Sequence, residues 1–246
     1  MNTTKNKIQN TTLRKTNLNE FHLTENLTRE AFWNLYKPGC DEHLALHQLR
    51  EGESYIPDLD LVALLDGQIV GHVITTGAMV ITAGSSVVTS GARVKTAGSG
   101  VQTESAGVDL VSRNNSPYEV LCLGPVSAHP DLQGRGIGSQ LIRQSIASAT
   151  ALGFKAIILY GDPAYYSRFG FENAQKYGIS TRENKNFDPF MALELYPGAL
   201  DGISGRFFED DRFFTTEEHL LEFEKHFPAK EKGEPRIALP EFDTND

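Results

Sequence analysis

The stretch HPDLQGRGIGSQLI, from His129 to Ile142, places Gly134, Gly136 and Gly138 within five positions and then turns helical without a break. Glycine costs a helix about 1 kcal/mol per interior position relative to alanine, so helix stability does not account for the three. A strand, a glycine-rich turn and a helix in succession instead gather unbonded main-chain N–H groups at the positive end of a helix dipole. Glycines let a ligand approach that backbone and permit angles that a Cβ forbids. The expected occupant is a phosphate or pyrophosphate. A P-loop would continue Gly-Lys-Ser/Thr, which the chain lacks. A dinucleotide fingerprint would place its third glycine where Leu141 stands. Asp162, at the end of the next expected strand, keeps a nicotinamide-dependent oxidoreductase as a weakened alternative.

The order of elements follows from periodicity. LTENLTREAFWNLY reads as an amphipathic helix stopped by Pro38 and Gly39, and DEHLALHQLRE as a second. DLDLVALLDGQIVGHVITT is two β-prone runs joined at Asp66-Gly67, a hairpin signal. YEVLCLGPVSAHP is a strand, GSQLIRQSIASATALGF a helix, and KAIILYGD a strand buried on both faces. PAYYSRF starts a short helix at Pro163, DPFMALELY is a late strand, and TEEHLLEFEKHF a final helix before a charged tail expected to be loose. Between Met79 and Arg113 a step of seven recurs at Val80, Val87, Val94, Val101 and Val108. Glycines and threonines argue against a coiled coil there and favour short strands or a flexible insert. The expected organisation is a polar lead over 1–20, one domain over 21–205 interrupted by the repeat at 79–113, and a helix with tail over 206–246.

The chain has 246 residues and a net charge of −9, a balance that argues against sequence-independent nucleic-acid binding. Cys40 and Cys122 belong to no CxxC pair, so neither a metal site nor a disulfide framework is expected. The amino terminus has no apolar core of the signal-peptide kind, and the longest apolar run is broken by Asp66, Gln68 and His72. These features point to a cytoplasmic protein with neither membrane nor nucleic-acid partners.

VSAHPDLQGRGIGSQLI resembles the signature of the GNAT superfamily of acetyl-CoA-dependent N-acetyltransferases, Q/R-x-x-G-x-G/A, at Gln133, Gly136 and Gly138. A second resemblance follows the next strand, where GDPAYYSRFGF is similar to the family's A-x-x-(F/Y)-Y-x-x-x-G-F. FMALELYPGAL further resembles small bacterial members. The resemblance spans roughly residues 119–205. It implies an α/β (α+β) fold, with a mixed and mostly antiparallel sheet flanked by helices. It also implies acetyl-CoA as co-substrate, no metal, and an amine-bearing small molecule or peptide as acceptor; a homodimer stays open.

The same resemblance implies site residues. The amides of Gly134, Arg135, Gly136, Ile137, Gly138 and Ser139, with Gln133 in the motif, would hold the coenzyme pyrophosphate. Val126, Ser127 and Ala128 would pair with pantetheine like an added strand. In the family a bulge splays this strand from its neighbour, and Gly124-Pro125 suits such a defect. A free N–H near Val126 would then polarise the acetyl carbonyl. Tyr166 matches the general acid, its alternative being a core aromatic beside Phe169 and Phe171. Glu119 is the candidate base, with an exposed strand-edge carboxylate as the alternative reading; His72 and His129 are further options. A non-catalytic acyl-CoA-binding or docking protein on the same fold is the rival function.

Overall fold

A computed structural model describes residues 11–82 and 117–237. Nine strands, β1 (Thr12–Lys15), β2 (Asp60–Leu65), β3 (Gln68–Ile81), β4 (Tyr118–Ala128), β5 (Ala156–Tyr160), β6 (Glu172–Asn173), β7 (Ile179–Ser180), β8 (Phe190–Glu194) and β9 (Gly205–Phe208), share one sheet. Their order is β1-β2-β3-β4-β5-β8-β6, and β9 pairs with both β3 and β7. Only β4–β5 and β7–β9 are parallel among these pairs. The helices are α1 (Phe21–Phe32), α2 (Glu42–Arg50), α3 (Ile137–Ala151), α4 (Pro163–Tyr166) and α5 (Glu217–Phe223).

Local chemistry sets several boundaries. Asp66 and Gly67 have φ of 50° and 78°, the pair of left-handed residues that a primed hairpin turn requires. The first helix stops at Phe32, short of the expected Tyr36. Asn34 has φ of 53°, and its side-chain oxygen accepts the Gly39 N–H at 2.7 Å, reversing the chain. Pro163 opens α4, and the Asp162 carboxylate caps it by accepting the Ala164 N–H at 2.9 Å.

The sheet has two covered faces. On one, α3 packs over Leu61, Ala63, Val73, Leu121 and Leu123. A Cβ on Gly71 would stand 2.4 Å from Ile137 Cγ2, so only a bare backbone lets the start of α3 sit this close to β3. On the other face, Leu46 and Leu49 of α2 meet Ile74, while Val80, Val120, Cys122, Ile158, Phe190 and Phe207 form a second core. A buried polar network ties α1 and α2 to the sheet. Arg50 donates to Asp60 at 2.9 Å and to Thr24 at 2.8 Å, and His72 Nε2 lies 2.8 Å from Asp60. Burial opposes ionisation of Asp60, but His72 and Arg50 outweigh it and hold the carboxyl well below its ordinary range.

Three expected boundaries need correction. The polar lead contains β1, which zips along β2 from Thr12–Leu64 to Lys15–Leu61. Met79, Val80 and Ile81 belong to β3 rather than to an insertion, because β9 supplies them with a hydrogen-bonding partner at Phe208, Phe207 and Arg206. The rest of the seven-residue repeat lies outside the described residues. The carboxy-terminal segment is integral up to residue 237. Arg29 of α1, 1% exposed, donates to Glu224 at 2.7 Å, and Trp33 Nε1 donates to the Glu231 carbonyl at 2.9 Å.

Removing one partner of a buried ion pair leaves an uncompensated charge, at a cost of about 3 kcal/mol. Glu224→Ala should therefore lower unfolding free energy by about that amount in urea titrations. A change within about 0.5 kcal/mol would mean that the tail contributes nothing to the fold.

Candidate active site

The site begins with a defect in β4. Its register with β3 pairs Leu123 with Thr75 and Val126 with Val73, leaving Gly124 and Pro125 together opposite Ile74. Gly124 has φ of 136° and the peptide to Pro125 is cis. On the opposite edge, β4 pairs with β5 at Leu121–Ile157 and Cys122–Ile158, and pairing stops there. The splay expected at Gly124-Pro125 is thus present. The His129 N–H donates to the Val70 carbonyl at 2.9 Å. By antiparallel alternation, the main-chain groups of Val126 and Ala128 then face away from β3, toward the side β5 has vacated. The Ala128 carbonyl is met there by Gln133 Nε2 at 3.3 Å.

The turn that follows accounts for its glycines one by one. Gly134 and Gly136 have φ of 75° and 92°, and Gly136 is the left-handed residue that starts α3 without a side-chain cap. Gly138 lies under Tyr165, where a Cβ would stand 3.2 Å from the phenol oxygen. Within the first turn of α3 the amides of Ile137, Gly138 and Ser139 have no helical carbonyl to bond. Together these residues line a cavity of about 670 Å3, with Val126 to Ala128 on one wall and Tyr165 and Tyr166 on another. Arg135, Arg143 and Arg168 border it, and Arg135 Nε is buried with no partner among the described residues. Arg143 and Arg168 were not read from the sequence. They lie seven and 32 positions past Gly136, and only the fold brings them round.

Tyr166 stands both at the cavity and in the aromatic core. It lines the cavity, and its ring packs edge-on against Phe171 with centroids 5.8 Å apart. Gly161 seats that ring: a Cβ there would stand 2.2 Å from Tyr166 Cε2. Burial pushes the Tyr166 phenol well above its ordinary pKa, with smaller contributions from Tyr165 and Tyr36.

The other candidates fall elsewhere. Glu119 is not brought to the cavity. It is exposed at the start of β4, opposite Met79, about 23 Å of strand from Val126. His72 is fully buried in the Asp60–Arg50 network. The His129 ring accepts the Asp131 N–H at 3.3 Å beyond the end of β4. The side chain of Ser127 turns to α1, its hydroxyl 2.8 Å from that of Thr28. A pair that sequence reasoning did not find lies across the sheet from the cavity. The Tyr160 hydroxyl, at the end of β5, stands 3.4 Å from Glu209 Oε1, a long hydrogen bond. Their separation of 49 positions leaves no local signal.

The Acetyltransferase (GNAT) family matches residues 23–171, well over half of the chain. The chain belongs to the GNAT family. Among curated proteins it is similar to the Escherichia coli "Uncharacterized N-acetyltransferase YhbS", 30% identical over 105 residues, which are 43% of this chain and 54% of that protein. "Uncharacterized N-acetyltransferase YjhQ" of Escherichia coli K12 is 30% identical over 124 residues, 50% of this chain and 51% of that one. The chain thus spans about half the length of the curated relatives it matches. Among solved structures, the fold is similar to the GNAT N-acetyltransferase YhbS from Escherichia coli in complex with CoA. That match has 23% identity, covers 85% of this chain and 94% of the other, and has a TM-score of 0.61. It is also similar to a GNAT acetyltransferase from Brucella melitensis in complex with acetyl-CoA, with 24% identity, 83% and 99% coverage and a TM-score of 0.57. The mixed, mostly antiparallel sheet with flanking helices is the GNAT fold.

Since burial disfavours the phenolate, Tyr166 should stay protonated beyond its ordinary pKa of about 10. The near-ultraviolet tyrosinate absorbance of wild type and Tyr166→Phe should coincide up to about pH 11. One tyrosinate titrating near pH 10 in wild type and missing from the variant would contradict the burial argument.

Proposed function

We propose that this chain transfers an acetyl group from acetyl-CoA to a primary amine. The observation that carries the reading is a convergence. The unbonded amides at the start of α3 and the outward main-chain edge of Val126 and Ala128 open on one cavity, with Tyr166 across from them. The donor set suits a diphosphate: backbone N–H groups at a helix start, a left-handed glycine cradle, and a buried guanidinium nitrogen still seeking an acceptor. Acetyl-CoA supplies an activated acetyl thioester when bound.

In this reading the amides of Gly134 to Ser139 hold the pyrophosphate and Arg135 adds charge at its rim. Val126 and Ala128 take pantetheine along their outward edge as a strand would be taken, the Ala128 carbonyl being bonded by Gln133. The Val126 N–H, facing the parted strands, stabilises negative charge on the carbonyl oxygen. Tyr166 gives a hydrogen bond, and then a proton, to the departing sulfur. Its protonated state at neutral pH follows from burial.

The attacking nitrogen must be neutral, whereas an alkyl ammonium of pKa about 10.4 is free base in about one molecule in a few thousand at pH 7. A proton acceptor on the amine's side is therefore required, and Glu119 is too far along β4 to serve.

Coenzyme A at about a hundredfold its dissociation constant should stabilise the protein by about 2.7 kcal/mol, seen as a thermal shift. Gly136→Glu, which aims a carboxylate at the pyrophosphate, should abolish that shift in a folded protein. An undiminished shift would refute the loop assignment. Tyr166→Phe should keep the shift but lower kcat by about 100-fold or more. Unaltered kcat would return Tyr166 to a packing role alone.

A further inference from the structure

Two orphaned polar atoms lie on the sheet face opposite α3. The coenzyme cavity is on the α3 face, where Leu159 of β5 joins the core beneath Tyr166. Alternation sends the neighbouring Ile158 and Tyr160 to the other face, with Phe190 and Phe207. There Glu209 carries an oxygen, Oε2, that is buried without a hydrogen-bond partner among the described residues. Thr76, 0% exposed, has a hydroxyl in the same condition. Thr76 is the cross-strand partner of Cys122, and the Glu209 charge reaches the Cys122 thiol, which burial first and that charge second push up. Cys122 is also the last residue of β4 to pair with β5 before the strands part. Thr76 is thus cross-strand from the last paired residue of β4, Tyr160 lies two residues past the last paired residue of β5, and Glu209 meets the Tyr160 hydroxyl, all on the side away from α3.

Unpartnered buried polar atoms call for a water or a ligand. A carboxylate oxygen and a hydroxyl beside an aromatic wall, where Tyr160 stacks on Phe187 at 6.0 Å, match an alkyl ammonium. Pairing of β4 with β5 ends at Cys122 and Ile158, so a nucleophile approaching from this face would meet the thioester from the side not filled by the coenzyme arm. Resting on the acetyl-transfer reading above, we propose that the acceptor is an alkyl primary amine received as its ammonium on this face, and that Glu209 takes its proton. That proton passes from nitrogen to Glu209 Oε2. The freed lone pair forms the N–C bond at the thioester carbon as the C–S bond breaks. The second nitrogen proton replaces the one that Tyr166 gives to sulfur. Glu209 then releases its proton to solvent, so the net products are amide, thiol and one proton.

Burial raises the Glu209 carboxyl above its ordinary value of about 4.3, and Glu183 adds to this. Arg182 and the Tyr160 hydroxyl oppose the rise, and Cys122 faces the group from β4. A base must be ionised to act, so kcat/KM should fall below a limb lying on the neutral side of an ordinary carboxylate. Thiol release from acetyl-CoA would be measured with spermidine, lysine amide and tyramine as acceptors. At least one should turn over. Glu209→Gln should lower kcat/KM by about 100-fold and flatten the acid limb, while the coenzyme thermal shift stays at the wild-type value. Glu119→Gln should change none of these. Tyr160→Phe, which keeps the ring and deletes only the hydroxyl, serves as a second variant and should raise the acceptor KM with the coenzyme shift intact. A wild-type acid limb and kcat/KM in Glu209→Gln would overturn the assignment, as would an unmoved KM in Tyr160→Phe if Glu209→Gln does not fold. Coenzyme binding without turnover of any of the three amines would overturn it too, while leaving the coenzyme site standing. Failure of the wild type to bind coenzyme would instead sink the acetyl-transfer reading.

Discussion

The parting of β4 from β5 after two residue pairs is the constraint on which the rest depends. In a complete sheet every inner-strand N–H and C=O is spent on a neighbour. Here β4 keeps its partner on the β3 side, through the register shift at Gly124 and Pro125, and loses it on the other. A central strand is thereby given a free edge inside the molecule rather than at its rim. Such an edge stays unpaired only if something outside the fold pairs with it, and the cavity beside Val126 and Ala128 has room for that partner. The same parting lies between two faces of the sheet that carry different chemistry.

Close packing brings the helix to that edge. Because Gly71 has no side chain, Ile137 rests on β3, and the first turn of α3 lies alongside the end of β4 rather than a side chain's width above it. Gly161 does the same for Tyr166 on the far wall, and Gly138 for Tyr165. The glycines at 134 and 136 supply conformation, while those at 71, 138 and 161 supply distance. Both kinds converge on a cavity whose polar groups include main-chain amides, fixed in direction by secondary structure and needing no reorganisation to meet charge.

What was legible in the sequence was local. The Asp66-Gly67 turn, the strand ending at Gly124-Pro125 and the glycine turn into α3 each declare themselves within a few residues, because a backbone conformation depends on the residues that adopt it. The expected fold class followed from these and from the two motifs. Contacts that join distant segments gave no such sign. β1 and β9 are four-residue strands whose existence depends on an edge offered elsewhere. The charged tail seemed loose because its partner, Arg29, lies 195 positions away. Glu119 shares a strand with Val126, Ser127 and Ala128, yet a strand of eleven residues is long enough to carry its two ends to different places. Glu209 follows β9, whose register along β3 sets Phe208 against Met79, and it is its side chain that reaches the end of β5 at the Tyr160 hydroxyl.

The division of labour across the sheet also makes electrostatic sense. Arginines 135, 143 and 168 border the cavity on the α3 side, and among the described residues no carboxylate lines it. On the opposite face Glu209 and Glu183 stand at the end of β5, with Arg182 engaged by Asp211 and by the Glu209 carbonyl. A polyanion and a cation would each find a favourable potential on its own side and an unfavourable one on the other. The two substrates of an amine acetylation have those charges, and the sheet between them has low polarity, so each field is weakly screened across the gap. The carbonyl carbon is the only place where they need to meet. On the proposed reading, charge would order a ternary complex as well as shape, the arginine-bordered cavity disfavouring an ammonium and the carboxylates near the end of β5 disfavouring a diphosphate.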